Sequence, residues 1–201
     1  MFHVKHEVPP PPAPLLDPEA EAQLRRYEEM LRDRAIPLGL IGMADRDRLW
    51  ERHILDSLRG AAAVRPGDAV AYDLGSGAGL PGIPIAIACP GLRMRLVESR
   101  RNRAAFLELV VEQLALPRVE VVSGRVEELT QPVDLCFARA FTDGVGAWKL
   151  AEPRLLPGGR LVYFAGRTFD DARELPPGAV RSNPLSTALA REGTLVIMTR
   201  Q

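Results

Sequence analysis

From Ala69 to Thr199 short apolar runs alternate with helical stretches, and this rhythm restricts the possible folds more than any other feature of the chain. AVAYDL, RMRLVES, VEVVSG, VDLCFAR, GRLVYFAG and GTLVIMT are short runs dense in residues that suit a pleated, buried surface, and they read as strands. AVRSN is a weaker seventh. Between them, PGIPIAIA, NRAAFLELVVEQLAL, VEEL and GVGAWKLAEPRLL read as helices. A strand followed by a helix and another strand pairs parallel, with a right-handed crossover. The expectation is an α/β fold built on a doubly wound, mostly parallel seven-stranded sheet. Ligands of such sheets sit beyond the carboxyl ends of the strands, where strand order reverses, so the strand tips are the places to search.

Ahead of the sheet, residues 1–18 contain PPPPAP, which cannot continue a helix and reads as a flexible lead-in. A helix is expected from Glu19 to about Ala35, with Leu24, Tyr27 and Leu31 on its apolar side. A second runs from Asp45 or Arg46 to about Ala63, with Trp50, Ile54, Leu58 and Ala61 facing inward and RPGD closing it. Residues 19–66 therefore form a helical cap, too small to bury a core alone, on a sheet domain spanning 67–201.

The glycine turn DLGSGAGLPG carries the chemistry. Gly75, Gly77 and Gly79 follow the first strand directly, while Gly77, Gly79 and Gly82 also satisfy the dinucleotide spacing GxGxxG. Glycine admits positive φ and lets a ligand approach the backbone. The copy next to the strand has Asp73 at its head. A pyrophosphate favours bare amides and repels a carboxylate, whereas S-adenosylmethionine carries a sulfonium and an amino group that a carboxylate suits. Asp73 therefore favours S-adenosylmethionine over a nicotinamide cofactor, with a structural turn cap as the plainer alternative. Glu98 ends the second strand, where an acid can accept from ribose hydroxyls, or else pair with Arg100 or Arg101. Val126 and Glu127, after the third strand, lie where an adenine would rest.

With 26 basic and 26 acidic residues, overall basicity gives no argument for nucleic acid. A local face remains open: Arg100, Arg101 and Arg103 are the densest cluster, with Arg25, Arg26, Arg32 and Arg34 on the cap. Aromatic residues, at 5%, do not suggest a broad stacking surface. Phe141 reads as a core residue or a base-stacking one, and Trp50 and Trp148 read as packing residues. Cys89 and Cys136 have apolar neighbours and no metal-binding spacing, so both are expected to be reduced core residues. No metal site is expected. No segment reads as a signal peptide or membrane span, and the expectation is a cytoplasmic monomer.

RHILDSL (52–58), DLGSGAGLPGIP (73–84), GRVEEL (124–129) and ARAF (138–141) together resemble the bacterial small-subunit ribosomal RNA guanine-N7 methyltransferases, also called the glucose-inhibited division protein B family. GLIGMADRDRLWERHILDSL is similar to their actinobacterial branch. The resemblance covers roughly residues 20–200 and implies a class I methyltransferase fold with an N-terminal helical cap. It further implies S-adenosylmethionine as cofactor and methylation of N7 of one guanosine in the 530 loop of 16S ribosomal RNA, in the small ribosomal subunit. Cofactor contacts would then fall on Gly75, Leu80, Val126 and Glu127, with Arg139 beside the transfer site and His53, Asp56 and Ser57 near an RNA-facing pocket. Two features depart from the family. GLIGM stands where an asparagine–leucine–threonine segment is usual, and YFAG puts Ala165 at the position of the lysine that normally ends the fifth strand. Arg167 is two residues away, and Arg191 matches the family's last arginine only loosely.

Guanine N7 presents an in-plane lone pair, so its methylation requires alignment and no general base. The fourth strand ends CFARAF, without the asparagine–proline pair that receives exocyclic amino groups, and Cys136 has no partner cysteine for attack on a pyrimidine. Arg139 at that tip could hold the cofactor carboxylate or guanine O6, or form an ion pair with Asp134 or Asp143. His53 either shapes the pocket or makes a helix-to-sheet hydrogen bond. Other readings stay open: another RNA or small-molecule substrate, a weakly catalytic RNA- or ribosome-binding homologue, and a nicotinamide oxidoreductase.

Overall fold

In the computed structural model, which describes residues 16–166 and 195–201, six strands form one sheet ordered β3-β2-β1-β4-β5-β6. The strands are β1 (Val70–Leu74), β2 (Arg93–Glu98), β3 (Val119–Ser123), β4 (Val133–Arg139), β5 (Leu155–Phe164) and β6 (Leu195–Thr199). All neighbours pair parallel except β5 with β6. AVRSN, the expected weak strand, lies outside the described residues, as do Arg167 and Arg191. The order reverses between β1 and β4, which pair directly with Asp73 beside Phe137. A ligand crevice is expected at their tips.

Side chains along each strand alternate between two apolar layers, as a two-residue period requires. On β4, Leu135 and Phe137 enter one layer, and Cys136 and Ala138 the other. The first layer holds α1 (Pro18–Met30), α3 (Gly82–Ala88) and α4 (Arg101–Gln113) through Leu24, Tyr27, Ile83, Phe106 and Leu107. The second holds α5 (Gly144–Ala151) through Ala147, Trp148 and Ala151. Asp73, like Ala71 two residues before it, therefore points toward α1 and α3, where it is buried with 1% exposure.

The first cap helix starts as its sequence dictates. Asp17 accepts from the Ala20 amide at 2.7 Å, and Pro18 occupies the first turn, where a missing N–H costs nothing. The helix continues through a π-helical turn, Leu31–Ala35.

The second stretch differs from the single helix its stripe suggests. It breaks into a 3₁₀ segment (Met43–Arg48), a π segment (Trp50–Leu55), the short α2 (Asp56–Leu58) and a 3₁₀ turn (Arg59–Ala63). The His53 carbonyl sits at the break and accepts from three donors: the Asp56 amide, Ser57 Oγ at 2.6 Å and Arg139 Nη1 at 3.2 Å. Such competition pulls a carbonyl away from the regular helical ladder. None of the described helices is long and apolar enough to cross a membrane.

Candidate active site

The turn after β1 is held from three sides. Gly75, Gly77 and Gly79 all have positive φ, at 69°, 59° and 96°. At Gly77 a Cβ would meet only the Gly75 carbonyl oxygen, at an ordinary 3.8 Å, so only its backbone angle demands glycine there. At Gly82 the demand is proximity: a Cβ would stand 2.4 Å from Leu96 Cδ2 and 2.7 Å from Asp73 Oδ2. From the cap, Tyr27 Oη donates to the Ala78 carbonyl at 2.7 Å. From the β4 side, the ring of Phe141 lies over Gly75, and the residue before it, Ala140, is left-handed at φ 50°.

Most amides of this turn are already engaged. Ser76 N–H donates to Val97 O, Gly77 N–H to Glu98 Oε2, Gly79 and Leu80 N–H to Ser76 O, and Gly82 N–H to Asp73 Oδ2. A pyrophosphate would find few free donors here, although the spacing of Gly77, Gly79 and Gly82 fits its fingerprint. What borders the turn is a pair of buried acidic side chains. Asp73 is fully enclosed, its Oδ1 has no hydrogen-bond partner, and burial pushes its carboxyl up to about 7. Glu98, 4% exposed at the β2 tip, accepts from Gly77 and Arg100 amides at 3.0 and 2.9 Å, and Arg103 Nη1 approaches at 3.9 Å. An orphaned buried carboxylate oxygen beside a side-chain-free backbone suits a cationic nucleoside, and the residues present fit S-adenosylmethionine on that ground.

The other expected cofactor residues border the same strand tips. Val126 is buried at the start of a 3₁₀ turn (Val126–Glu128) and packs in the α5-side layer, while Glu127 is exposed. Leu80 is half-buried against the other layer. Arg100 and Arg101 are exposed at the start of α4, with Arg103 half-buried beside Glu98. Thus Glu98 is bound by backbone amides and approached by Arg103; the ion-pair alternatives with Arg100 and Arg101 are not what forms.

Arg139 joins sheet to cap. Its Nη1 donates to Ser57 Oγ at 3.0 Å and approaches Asp56 Oδ2 at 3.4 Å; its Nη2 lies 2.5 Å from His53 Nδ1. The alternative ion-pair partners, Asp134 and Asp143, are committed elsewhere, to the amides of Ala69 and Val70 and to that of Gly146. Asp56 Oδ1 meets Arg59 at 2.6 Å. The motif RHILDS thus directs His53, Asp56 and Ser57 onto a single guanidinium. Burial and the adjacent Arg139 lower the His53 pKa from its ordinary value, so the ring is neutral near pH 7.

Two residues of the site were not singled out as functional from the sequence. Asp45, whose Oδ2 lies 3.0 Å from His53 Nε2, sits in the charged run MADRDR, where nothing distinguishes it. Tyr27 is visible only as part of an apolar stripe, and its hydroxyl is the sole hint that it reaches a polar partner.

A profile for the family described as rRNA small subunit methyltransferase G matches residues 20–178. A Mycobacterium leprae protein named ribosomal RNA small subunit methyltransferase G is 41% identical over 158 residues, covering 75% of this chain and 63% of that protein. The chain thus spans less than two thirds of the length of that relative. A protein of the same name from Mycobacterium sp. strain KMS is 35% identical over 215 residues, covering 95% and 94% of the two chains. Among solved structures, a SAM-dependent methyltransferase from Aquifex aeolicus superposes with a TM-score of 0.59 at 13% identity, covering 79% of this chain and 95% of that one. A putative methyltransferase from Escherichia coli gives 0.51 at 16% identity, over 67% and 76%. These two likenesses are of fold, and the fold is that of the class I methyltransferases. By sequence and architecture together, the chain belongs to the rRNA small subunit methyltransferase G family.

Proposed function

We propose that this protein is an S-adenosylmethionine-dependent methyltransferase that modifies guanine N7 in the 530 loop of 16S ribosomal RNA, acting as a cytoplasmic monomer on RNA of the small ribosomal subunit. The observation that carries the reading is the glycine turn: its amides are spent internally, and its borders are the buried carboxylates of Asp73 and Glu98. Asp73 and Glu98 would hold the cofactor's positive and ribose groups, and the bound cofactor supplies an electrophilic methyl. Arg139 would orient the guanine through O6 or the cofactor through its carboxylate.

The remaining groups fit a reaction that needs no proton acceptor. Both ring nitrogens of His53 are engaged, one with Asp45 and one with Arg139, so the ring is not presented as a base. Burial raises the thiols of Cys136 and Cys89, which leaves neither as a ready nucleophile. Alignment alone can supply up to roughly 7–11 kcal/mol. Arg100, Arg101 and Arg103 flank the β2 tip and would meet phosphates; Arg167 lies outside the described residues. A second reading, a weakly catalytic RNA-binding homologue, is favoured by Ala165, which is 6% exposed where the family resemblance puts a lysine.

Incubation with methyl-labelled cofactor, unmodified small subunits and protein-free 16S RNA tests the proposal. Label on N7 of one guanine in the 530 loop is expected. Label elsewhere would change the substrate; binding of NAD but not adenosylhomocysteine would overturn the assignment. Adenosylhomocysteine binding without transfer to either substrate would favour the second reading.

A further inference from the structure

Arg139 is held by a ring that is itself held, and the donor–acceptor chemistry fixes which atom carries the proton. A guanidinium only donates, so the His53 Nδ1 facing Arg139 Nη2 must be the bare, accepting nitrogen. A neutral imidazole then carries its single proton on Nε2, which points at Asp45 Oδ2, 3.0 Å away. The other oxygen of Asp45 faces Arg52 at 3.3 Å and Arg48 at 3.8 Å. The carboxylate is therefore oriented by two cations on one side and by the ring on the other.

We propose that Asp45 is a positioning residue for methyl transfer: by accepting the Nε2 proton of His53 it fixes the tautomer that presents Nδ1 to Arg139, and so sets the guanidinium at the β4 tip. The inference rests on the proposed function, which makes Arg139 the group nearest the reacting atoms. Asp45 itself touches neither the glycine turn nor Arg139, and acts only through the ring.

The arrangement has a direction in pH. Protonating His53 would put an N–H on Nδ1 against the guanidinium and remove one acceptor of Arg139. The charged groups around the ring are Arg139 on β4, Asp45 on the Met43–Arg48 turn and Arg52 on its own segment, with Asp56 beyond the guanidinium. Burial, Arg139 and Arg52 oppose protonation, while Asp45 favours it by charge and hydrogen bond. Removing the Asp45 charge therefore lowers the pH at which the ring protonates, whereas removing the acceptor altogether releases the tautomer.

Two variants separate these effects. In Asp45→Ala, kcat at pH 8 should fall about tenfold, the loss expected for a charge-assisted hydrogen bond. In Asp45→Asn the amide oxygen still accepts from Nε2, so most of the turnover should return, and the acid limb of the kcat profile should move to lower pH. A readout independent of activity comes from two-bond proton–nitrogen NMR correlations of the histidine rings. The chain has only three histidines, so His53 is readily assigned through a His53→Asn variant. The wild-type protein should show the Nε2–H form, Asp45→Asn the same, and Asp45→Ala a mixture.

An Nδ1–H ring in the wild-type protein would overturn the proposal. So would wild-type kcat and pH profile in Asp45→Ala, or an Asp45→Asn variant no better than Asp45→Ala. If the wild-type protein transfers no methyl to RNA, the proposed function fails separately, and the NMR arms still judge the hydrogen-bond chain.

Discussion

Replacing Asp73 with asparagine should have opposite effects on the empty and the loaded protein. The Asp73 carboxyl is raised from 3.8 to about 7 by burial, so the folded state holds a proton that the unfolded chain releases. Where the folded state binds more protons, stability falls as pH rises. That loss begins near the unfolded value and is nearly complete once pH exceeds the folded one. Between pH 5 and pH 8 the wild-type protein should lose roughly 2–3 kcal/mol through this group alone. Asparagine keeps an acceptor for the Gly82 amide and carries no proton to lose. The Tm gap between variant and wild type should therefore widen by roughly 5–10 °C from pH 5 to pH 8, in favour of the variant. Other titrating groups, His53 included, contribute to both proteins and cancel in the difference. Calorimetric Tm values across this range provide the measurement. Titrations at pH 8 should show the reverse for ligand: a weaker affinity for S-adenosylmethionine, with a smaller loss for neutral-sulfur adenosylhomocysteine. Parallel Tm curves would refute the claim that burial raises the Asp73 carboxyl, and equal losses for the two ligands would refute its pairing with the sulfonium.

Three further outcomes follow from contacts already described. Gly75→Ala places a Cβ 2.3 Å from Phe141 Cδ2 in a left-handed backbone and should cost about 2–4 kcal/mol in denaturant unfolding; Gly75→Ala with Phe141→Ala should recover the steric part but not the backbone part, and simple additivity would count against that contact. Tyr27→Phe leaves the buried Ala78 carbonyl without its donor and should cost about 1–3 kcal/mol, with weaker binding of adenosylhomocysteine; unchanged binding would show that the turn does not depend on the cap. Arg139→Ala should lower methyl transfer about a hundredfold while the fold survives, because Asp56 keeps Arg59; undiminished turnover would remove Arg139 from the site.

The strands were legible because alternation between two apolar layers leaves a two-residue imprint, clear in Leu135, Cys136, Phe137 and Ala138. Asp73 and Glu98 were legible as strand tips for the same reason. Their partners were not, since both carboxylates bind backbone amides, which every residue but proline owns and which therefore leave no mark in a sequence. The acid that Arg139 meets was not legible, because Asp56 is far away in the chain and meets it only once cap and sheet are packed. The broken cap helix was hidden too: its apolar stripe says which side is inward, but not that the His53 carbonyl will face three donors.

The hydroxyl of Tyr27 has a wider meaning for how such a molecule can be divided. Every glycine of the turn and both tip carboxylates belong to the sheet, yet the rear wall of the turn is supplied by a residue fifty-one positions upstream of Ala78. A fragment beginning after residue 66 would keep the whole glycine turn and lose the buttress behind it. Swapping caps between relatives would meet the same obstacle, because the joint between cap and sheet itself holds the turn.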